Sequence, residues 1–441
     1  MAQKNARALA ADILKKIETA DAYASFSLKA ALAEASLPDP RDAALVTSLV
    51  YGVIERKLTL DYDLALYLRR PLKKMHPYVL SVLRLGAYQI LFLQKIPVSA
   101  AVNESVSLVK NGGHAYAAGL VNAVLRQVGK NGLILPSEDD ELYLSVKYSC
   151  PKPLIDRLCA AYGQNDACKA LEAALLPRPL FIRGNPIRCS DKDLPSVLAA
   201  DGVKASACSL PHSFILEDPG DITALDAFRK GLFHVQDLSS QLCVAALGTR
   251  KGETVIDCCS APGGKTFSVA EDMADTGTVY ACDLYPHKTR LVEEGAARLG
   301  LRCIRTITAD ARTLPGRFSG ADRVLCDVPC SGLGVIGRKP EIRYKSAAEI
   351  DALPPLQEEI LTAAAQLLRP GGVLVYSTCT LTPAENEEVC RLFLEKNPAF
   401  SSAADDAYLA LTDGAPYKTV MLTPQGGDGF FFAKFVRADH N

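Results

Sequence analysis

Several common signatures are missing from this sequence. It has no tryptophan and only four methionines, and its 14 cysteines form no Cys-x-x-Cys pair. The missing pair argues against zinc ribbons and thioredoxin-like redox motifs, so we expect no metal site. An Asn-Pro-Pro-Tyr motif, which would favour methylation of amino groups, is also absent.

A long apolar segment is missing as well. Residues 1–16 are interrupted by charges and lack the apolar core of a signal peptide. The most apolar helical stretch, Val79–Leu93, contains Arg84 and Gln89 and is too short to span a bilayer. We therefore expect a cytoplasmic protein with reduced thiols and no membrane partner.

The chain has little net charge, but its charge is unevenly distributed. The total is −1, from 49 Lys+Arg and 50 Asp+Glu in 441 residues. Residues 1–135 carry 17 Lys+Arg and 10 Asp+Glu (net +7), which leaves 32 and 40 (net −8) for the remainder. The apolar fraction of 49% excludes wholesale disorder. A basic module at the N-terminus favours a polyanionic partner.

The hydrophobic patterns predict three domains. Residues 1–135 carry apolar residues at helical spacing and predict an all-α bundle. Residues 136–230 are rich in proline and predict a small α+β domain of ferredoxin or RRM type. Residues 231–437 alternate strands and helices, which is typical of an α/β domain with a doubly wound, mainly parallel sheet. The predicted helices are 6–17, 43–54, 58–68, 78–93, 115–128, 154–162, 166–176, 267–273, 287–299, 355–368 and 385–394. The predicted strands are 180–183, 213–217, 254–258, 277–282, 303–309, 322–326, 372–377 and 429–437.

Four aspartates stand at or just after the ends of predicted parallel strands: Asp257, Asp283, Asp310 and Asp327. Carboxyl ends of parallel strands share one edge of the sheet, where ligands bind. For any one of these acids, helix capping or loop solvation is as good an explanation as ligand binding. All four together favour a ligand with several hydroxyl and amine donors.

A glycine turn follows the first of these strands. Residues 260–266, Ser-Ala-Pro-Gly-Gly-Lys-Thr, match neither the P-loop nor the dinucleotide spacing, so a dehydrogenase is disfavoured. Adjacent glycines let the backbone approach a ligand closely, and the next helix N-terminus favours an anion. Asp283 is placed to bind a ribose hydroxyl pair. A nucleoside with a carboxylate, such as S-adenosylmethionine, fits this pattern.

Two cysteines differ from the other twelve. Cys330 stands in Asp-Val-Pro-Cys-Ser-Gly, and Cys379 stands in Tyr-Ser-Thr-Cys-Thr; each follows a predicted strand inside a polar turn. A lone cysteine is usually a small core residue. These two are expected at the same edge as the acids, where a thiol can act as a nucleophile.

These motifs, in this order and spacing, resemble the RNA 5-methylcytosine methyltransferases. The resemblance covers residues 231–437 and includes Pro383-Ala384-Glu385-Asn386-Glu387 after Cys379. Further matches are Val235-Gln236-Asp237, Arg338-Lys339-Pro340-Glu341 and residues 356–361. It implies a Rossmann-like class I methyltransferase domain. The residues that it places around the cofactor are Cys259, Ser260, Ala261, Pro262, Gly263, Gly264, Lys265, Asp283, Asp310 and Asp327.

The rest of the chain resembles the non-catalytic parts of the same enzymes. The N-terminal region looks like the NusB fold, an RNA-binding bundle, and residues 178–185 match the small α+β domain that precedes the catalytic domain. The whole is similar to those members of the family that act on small-subunit ribosomal RNA. The expected partner is therefore 16S rRNA, free or in an early assembly particle, and not DNA. We expect a monomer.

The resemblance implies a mechanism as well. A thiolate that adds to carbon 6 of cytosine makes carbon 5 nucleophilic enough to take a methyl group. The family assigns the addition to Cys379 and assistance with product release to Cys330. From the residues alone these roles could be exchanged, because DNA cytosine methyltransferases attack with the Pro-Cys cysteine. Asp327 is expected to contact the target cytosine and Lys265 to balance charge, although a solvent-facing lysine is about equally expected.

The basic N-terminal module is the expected RNA anchor. Its candidate contacts are Arg69, Arg70, Lys73, Lys74, Arg126 and Lys130, although each is also consistent with a solvated helix face. A target base must leave its stack to reach a strand-end site, so single-stranded or loop RNA is the expected substrate. Two other readings remain: a methyltransferase acting on protein or a small molecule, and a non-catalytic RNA-binding or ribosome-assembly factor.

Overall fold

The computed structural model describes residues 5–20, 24–35 and 39–439. They divide into two compact units. The first runs to Leu175 and also includes Arg338–Tyr344; the second comprises Leu176–Gly337 and the chain from Lys345 onward. The predicted division at residues 135 and 230 stays a prediction. No helix in the described part of the chain is both long and apolar enough to cross a membrane.

The first unit is helical, and its described residues contain no strand. The helices are α1 (Ala6–Ala20), α2 (Ala24–Glu34), α3 (Pro40–Glu55), α4 (Lys57–Ala65), α5 (Pro77–Phe92), α6 (Val98–Asn111), α7 (Ala118–Asn131), α8 (Tyr143–Lys147) and α9 (Lys152–Ala173). Helix α5 is buried over most of its length, as its apolar composition predicts. Arg84 on this helix is neutralised by Asp61 and Glu18 at 2.6 and 3.0 Å.

Some predicted boundaries in this unit are wrong. Helix α2 was not predicted, because its alanine and serine residues give only a weak apolar stripe. Helix α6 was also not predicted, although Ala101, Val102, Leu108 and Val109 form a buried apolar face at helical spacing. Residues 115–117 form a 3₁₀ turn before α7, and α4 ends at Ala65 rather than at residue 68. The helices predicted at 154–162 and 166–176 are one assigned helix, α9, interrupted at Gly163 with φ of 78°.

The second unit begins with a small antiparallel sheet. Its elements are β1 (Leu180–Gly184), α10 (Leu194–Ala200), β2 (Lys204–Ala207), β3 (Ser213–Glu217), α11 (Asp226–Arg229) and β4 (Phe233–Val235). The strand order is β2-β3-β1-β4, which is the connectivity of a ferredoxin-like βαββαβ unit. Strands β2 and β4 are only four and three residues long, too short to show an alternating pattern in the sequence.

The larger sheet has the order β10-β12-β9-β8-β5-β6-β7, with β11 beside β12. Its strands are β5 (Thr254–Asp257), β6 (Thr278–Asp283), β7 (Ile304–Thr308), β8 (Ala321–Asp327), β9 (Leu368–Thr378), β10 (Phe400–Ser402), β11 (Tyr417–Val420) and β12 (Phe430–Arg437). The helices are α12 (Leu238–Leu247), α13 (Gly264–Asp272), α14 (Pro286–Leu299), α15 (Ala347–Asp351), α16 (Leu353–Gln366), α17 (Glu387–Lys396) and α18 (Asp406–Leu411).

The predicted doubly wound, mainly parallel sheet is confirmed. Strands β5 to β9 pair in parallel, and β12 is antiparallel to β9. The helix predicted to reach residue 368 ends at Gln366, and Leu368 already begins β9. After β5 the chain forms β6 on one side of that strand, and later it forms β8 on the opposite side of β5. This switch point places the ends of β5 and β8 side by side.

Candidate active site

The four predicted aspartates all lie at the carboxyl ends of parallel strands. Asp257 ends β5, Asp283 ends β6, Asp327 ends β8, and Asp310 follows β7 by two residues. Neighbouring parallel strands end at the same edge of the sheet, so the expected placement is confirmed. Their environments differ, however, and only Asp257 and Asp327 flank the switch point.

Asp257 holds the glycine turn. Its carboxyl group is 2% exposed and accepts a hydrogen bond from the Thr266 hydroxyl at 2.7 Å. Burial raises the pKa of Asp257 to about 7, against the Thr266 hydrogen bond, which lowers it. The first turn of α13 is thereby tied to the end of β5, which fixes the glycine turn between them.

The raised pKa of Asp257 predicts a pH-dependent stability. The pKa of Asp257 is higher in the folded state than in the unfolded state. The contribution of its protonated form to the free energy of unfolding is therefore complete below about pH 4 and is lost as the pH rises towards 7. Relative to Asp257→Asn, the wild type should lose about 2 kcal/mol of unfolding free energy between about pH 5 and 7. Urea unfolding at several pH values measures this loss. The exposed Asp413→Asn change should leave the pH profile unaltered; parallel curves for Asp257→Asn would contradict the prediction.

The turn itself offers polar groups to a ligand. Gly263 has φ of 112°, a conformation that favours glycine, and the Ser260 hydroxyl is buried without a protein partner. The carboxylate of Asp283 accepts the backbone N–H groups of Ala261 and Tyr285, each at 3.3 Å. A cavity of about 600 Å³ opens beside the turn.

These groups fit S-adenosylmethionine. A ribose offers hydroxyl donors to a carboxylate such as Asp283, and the orphaned Ser260 hydroxyl can serve a polar amino-acid portion. Asp310 is less available, because Arg312 binds its carboxylate at 2.7 Å and lowers the pKa of Asp310. Asp310 also caps the 3₁₀ turn that follows β7.

Lys265 points into the site rather than to solvent. Its ammonium group lies 2.7 Å from the Asp327 carboxylate and 4.9 Å from the centre of the Phe430 ring, and the side chain is 12% exposed. Asp327 also accepts the Ser377 hydroxyl at 2.8 Å. Burial alone would lower the pKa of Lys265, but the Asp327 charge raises it well above its ordinary value. Lys265 therefore keeps its positive charge.

Cys330 and Cys379 lie together, as the strand-end argument predicts. Their sulfur atoms are 3.3 Å apart, and both residues are half-buried. The Cys379 sulfur and burial raise the pKa of Cys330 well above its usual range. Both effects favour the protonated form of Cys330.

Glycines hold the two cysteine loops against each other. The Gly334 N–H donates to the Cys379 carbonyl at 3.0 Å, and the Gly429 N–H donates to the Gly334 carbonyl at 2.9 Å. A side-chain carbon at Gly334 would overlap the carbonyl of Gly429. The segments around Gly334 and Gly429 can therefore pack backbone to backbone only because both residues lack a side chain.

A buried carboxylate fixes the same loops. Glu385 accepts hydrogen bonds from the backbone N–H and the hydroxyl of Ser331, at 2.7 and 2.5 Å. It also accepts from Thr382 at 2.5 Å and from Gln357 at 3.0 Å, and it is fully buried. The sequence analysis noted Glu385 only as part of a matching motif. The helix predicted over 385–394 made Glu385 its first residue, which gave no sign of burial; α17 begins only at Glu387.

Replacing Glu385 should destabilise the second unit. Glu385→Ala leaves buried donors on Ser331 and Gln357 without their acceptor, and each such group costs about 1–3 kcal/mol. We expect a loss of about 2–4 kcal/mol in the free energy of unfolding, measured by urea denaturation. The matched control is Glu388→Ala, whose carboxylate pairs with Arg391 at the surface, and its loss should stay within about 0.5 kcal/mol. Equal losses in the two variants would contradict this role.

One wall of the cavity is formed by residues to which the sequence analysis gave no role. Gln236 and Asp237 line it from the segment after β4. Gln236 accepts the Ser268 hydroxyl at 2.7 Å, and its buried amide nitrogen has no protein partner. The motif match at Val235-Gln236-Asp237 was the sequence signal that could have identified these residues.

Another matched segment, Arg338–Glu341, does not belong to the second unit. It lies in the first unit, where Arg343 donates to the carbonyls of Glu55 and Ser149 at 3.0 and 3.2 Å.

Comparison with known proteins identifies the family. Residues 244–436 match the family described as 16S rRNA methyltransferase RsmB/F, and residues 4–130 match the NusB family. The chain is 36% identical to the probable ribosomal RNA small subunit methyltransferase B of Bacillus subtilis (strain 168), over 98% of each chain. It is 34% identical to the ribosomal RNA small subunit methyltransferase B of Pseudomonas putida (strain KT2440), again over 98% of each chain.

Solved structures share the fold. The structure titled "Crystal Structure of PH0851" superposes with a TM-score of 0.79 at 24% identity over 98% of both chains. The sequence comparisons confirm the resemblance: this is a ribosomal RNA methyltransferase with S-adenosylmethionine as its methyl donor. The chain therefore belongs to the RsmB/F family of 16S rRNA methyltransferases, with a NusB-family region at its N-terminus.

Proposed function

We propose that Cys379 is the nucleophile by which this enzyme methylates carbon 5 of a cytosine in 16S rRNA. One observation carries the proposal: the Cys379 sulfur lies 3.3 Å from a second thiol, at the sheet edge that also holds the Lys265–Asp327 ion pair. Without a nucleophile, carbon 5 of cytosine is too weakly nucleophilic to take a methyl group.

The reaction divides into addition, methylation and elimination. The Cys379 thiolate adds to carbon 6 and makes carbon 5 nucleophilic. S-adenosylmethionine, when bound, supplies an electrophilic methyl group, which carbon 5 accepts. Loss of the carbon-5 proton to a base then lets the bond between carbon 6 and the Cys379 sulfur break, so the enzyme is regenerated.

Charge supports this assignment of the two cysteines. The Lys265 ammonium interacts with the charge on Cys379, so it favours the thiolate there. The raised pKa keeps Cys330 protonated. An S–H group 3.3 Å from the Cys379 sulfur can stabilise that sulfur as it leaves, which is how we assign Cys330 to product release.

The remaining predicted site residues are assigned by position. We place the cofactor against Cys259–Lys265, Asp283, Asp310 and Asp327. Asp327 is anchored by Lys265 and Ser377, so its carboxylate is held where it can accept the exocyclic amine of the target cytosine. Lys265 then has two tasks: orienting Asp327 and favouring the Cys379 thiolate.

The RNA is expected to meet the site as an unpaired strand. The candidate anchors Arg69, Arg70, Lys73, Lys74, Arg126 and Lys130 are all exposed, and phosphate contacts from them would make binding salt-dependent. We propose that a monomer acts in the cytoplasm on 16S rRNA, free or in an early assembly particle, and not on DNA.

Methyl transfer to unmodified 16S rRNA tests the proposal. Labelled S-adenosylmethionine, the enzyme and transcribed rRNA are incubated, and the RNA is digested to nucleosides. Label in 5-methylcytidine from 16S rRNA, with none from 23S rRNA or single-stranded DNA, is the expected result. Label in another nucleoside would overturn the carbon-5 assignment. RNA binding without any label would favour the assembly-factor function.

A further inference from the structure

We propose that the first unit carries a stacking platform for unpaired RNA bases, in addition to the basic anchors considered above. The platform consists of the rings of His76, His114 and Tyr116. This inference rests on the proposed function only in that the partner is RNA. It adds the surface on which bases are held away from the reacting cytosine.

The three rings form one cluster in contact. The ring centres of His76 and His114 are 4.1 Å apart, with 42° between their planes. Tyr116 meets His114 edge-on, at 6.0 Å and 83°. Tyr116 is 76% exposed, more than any other large hydrophobic side chain recorded among the described residues. An exposed aromatic ring beside two neighbouring imidazoles offers π-surface on which unpaired bases can stack.

Hydrogen bonds fix the His76 ring and the backbone at His114. The His76 ring nitrogen accepts the N–H of Tyr78 at the start of α5, and the His114 N–H donates to Val109 at 2.7 Å as α6 ends. A side-chain carbon at Gly112 would lie 2.6 Å from the Tyr78 ring, so the loop approaches α5 closely only because this residue is glycine. A preorganised surface loses little entropy when it binds.

The charge around the platform suits a polyanion. Burial, His76 and Lys15 all lower the pKa of His114, so the Lys15 ammonium lies near that imidazole. Other exposed lysines flank the rings along the chain at positions 73, 74 and 110. Positive charge around exposed rings favours single-stranded RNA over a duplex, whose bases are hidden.

Alanine and phenylalanine variants of Tyr116 separate stacking from other roles. Binding is measured with a short unstructured RNA oligonucleotide at fixed salt, by fluorescence anisotropy. Tyr116→Ala and His114→Ala should each weaken binding about tenfold, and Tyr116→Phe should bind like the wild type. Leu142→Ala removes a 50% exposed apolar side chain from the same unit and is the matched control. It should leave the affinity unchanged.

Kinetics and crosslinking complete the test. For 16S rRNA methylation, Tyr116→Ala should raise KM about tenfold and leave kcat unchanged. A photoreactive 5-bromouridine oligonucleotide should crosslink to Tyr116, identified by mass spectrometry. Any of three results would overturn the platform. The affinities of all variants could lie within twofold of the wild type, Tyr116→Phe could lose as much affinity as Tyr116→Ala, or the protein could bind an acidic peptide but not RNA. Failure of methylation alone would overturn the proposed chemistry, because the oligonucleotide assay needs no catalysis.

Discussion

Replacing Cys379 by alanine should abolish methyl transfer to 16S rRNA, with a fall in rate on the order of 10³-fold or more. The reason is chemical: without an attacking sulfur, carbon 5 does not become nucleophilic. The Cys379 sulfur has a thiol neighbour at 3.3 Å and a lysine charge nearby, an arrangement suited to a thiolate. Initial rates with labelled S-adenosylmethionine measure the fall, and equilibrium dialysis should show that the cofactor still binds.

The matched control is Cys390→Ala, which removes a buried thiol from α17 in the same unit. It costs packing energy but no chemistry, so its rate should stay within about threefold of the wild type once folding is confirmed. Methylation that persists in Cys379→Ala and disappears in Cys330→Ala would mean that the two cysteines have exchanged roles.

Replacing Cys330 by alanine should trap the enzyme on its RNA. Cys379 can still add to cytosine, but the S–H group beside the leaving sulfur is gone, so elimination slows. We expect multiple-turnover rates to fall about 10²-fold or more, while close to one equivalent of RNA becomes covalently bound. A denaturing gel shows the protein–RNA adduct as a slower band, and label in that band shows that the trapped base has received its methyl group.

Two further variants make the adduct test decisive. The double change Cys330→Ala with Cys379→Ala should form no adduct, because the attacking sulfur is missing. Cys330→Ser restores a weaker proton donor and should release RNA faster than Cys330→Ala does. An adduct that survives in the double variant would show that a third nucleophile attacks the base. Rapid turnover by Cys330→Ala would show that Cys330 takes no part in release.

Much of the site was predictable from strand ends. Asp257, Asp283 and Asp327 each terminate a short apolar run, and parallel strands share the edge at which they end. The same argument brought Cys330 and Cys379 together although 49 residues separate them. Local pattern and sheet geometry are sufficient here because each residue ends its strand or follows it within three residues.

The supporting contacts could not be predicted in this way. Glu385 serves Ser331 and Gln357 at once, and Phe430 packs under Lys265 from a strand 165 residues later in the chain. The orientation of Lys265, left open by the sequence, follows from its 2.7 Å contact with Asp327. Short elements such as β2 and β4 were missed because three or four residues carry too little pattern.

The sequence by itself determined the family and the cofactor and predicted the reactive residues, because all three depend on local motifs whose order and spacing can be read along the chain. The tertiary structure decided which groups those residues meet: the thiol beside Cys379, the carboxylate that holds Lys265, and the buried Glu385 that fixes both loops. Burial and distances of about 3 Å set protonation and reactivity, and folding brings residues from distant segments to within those distances.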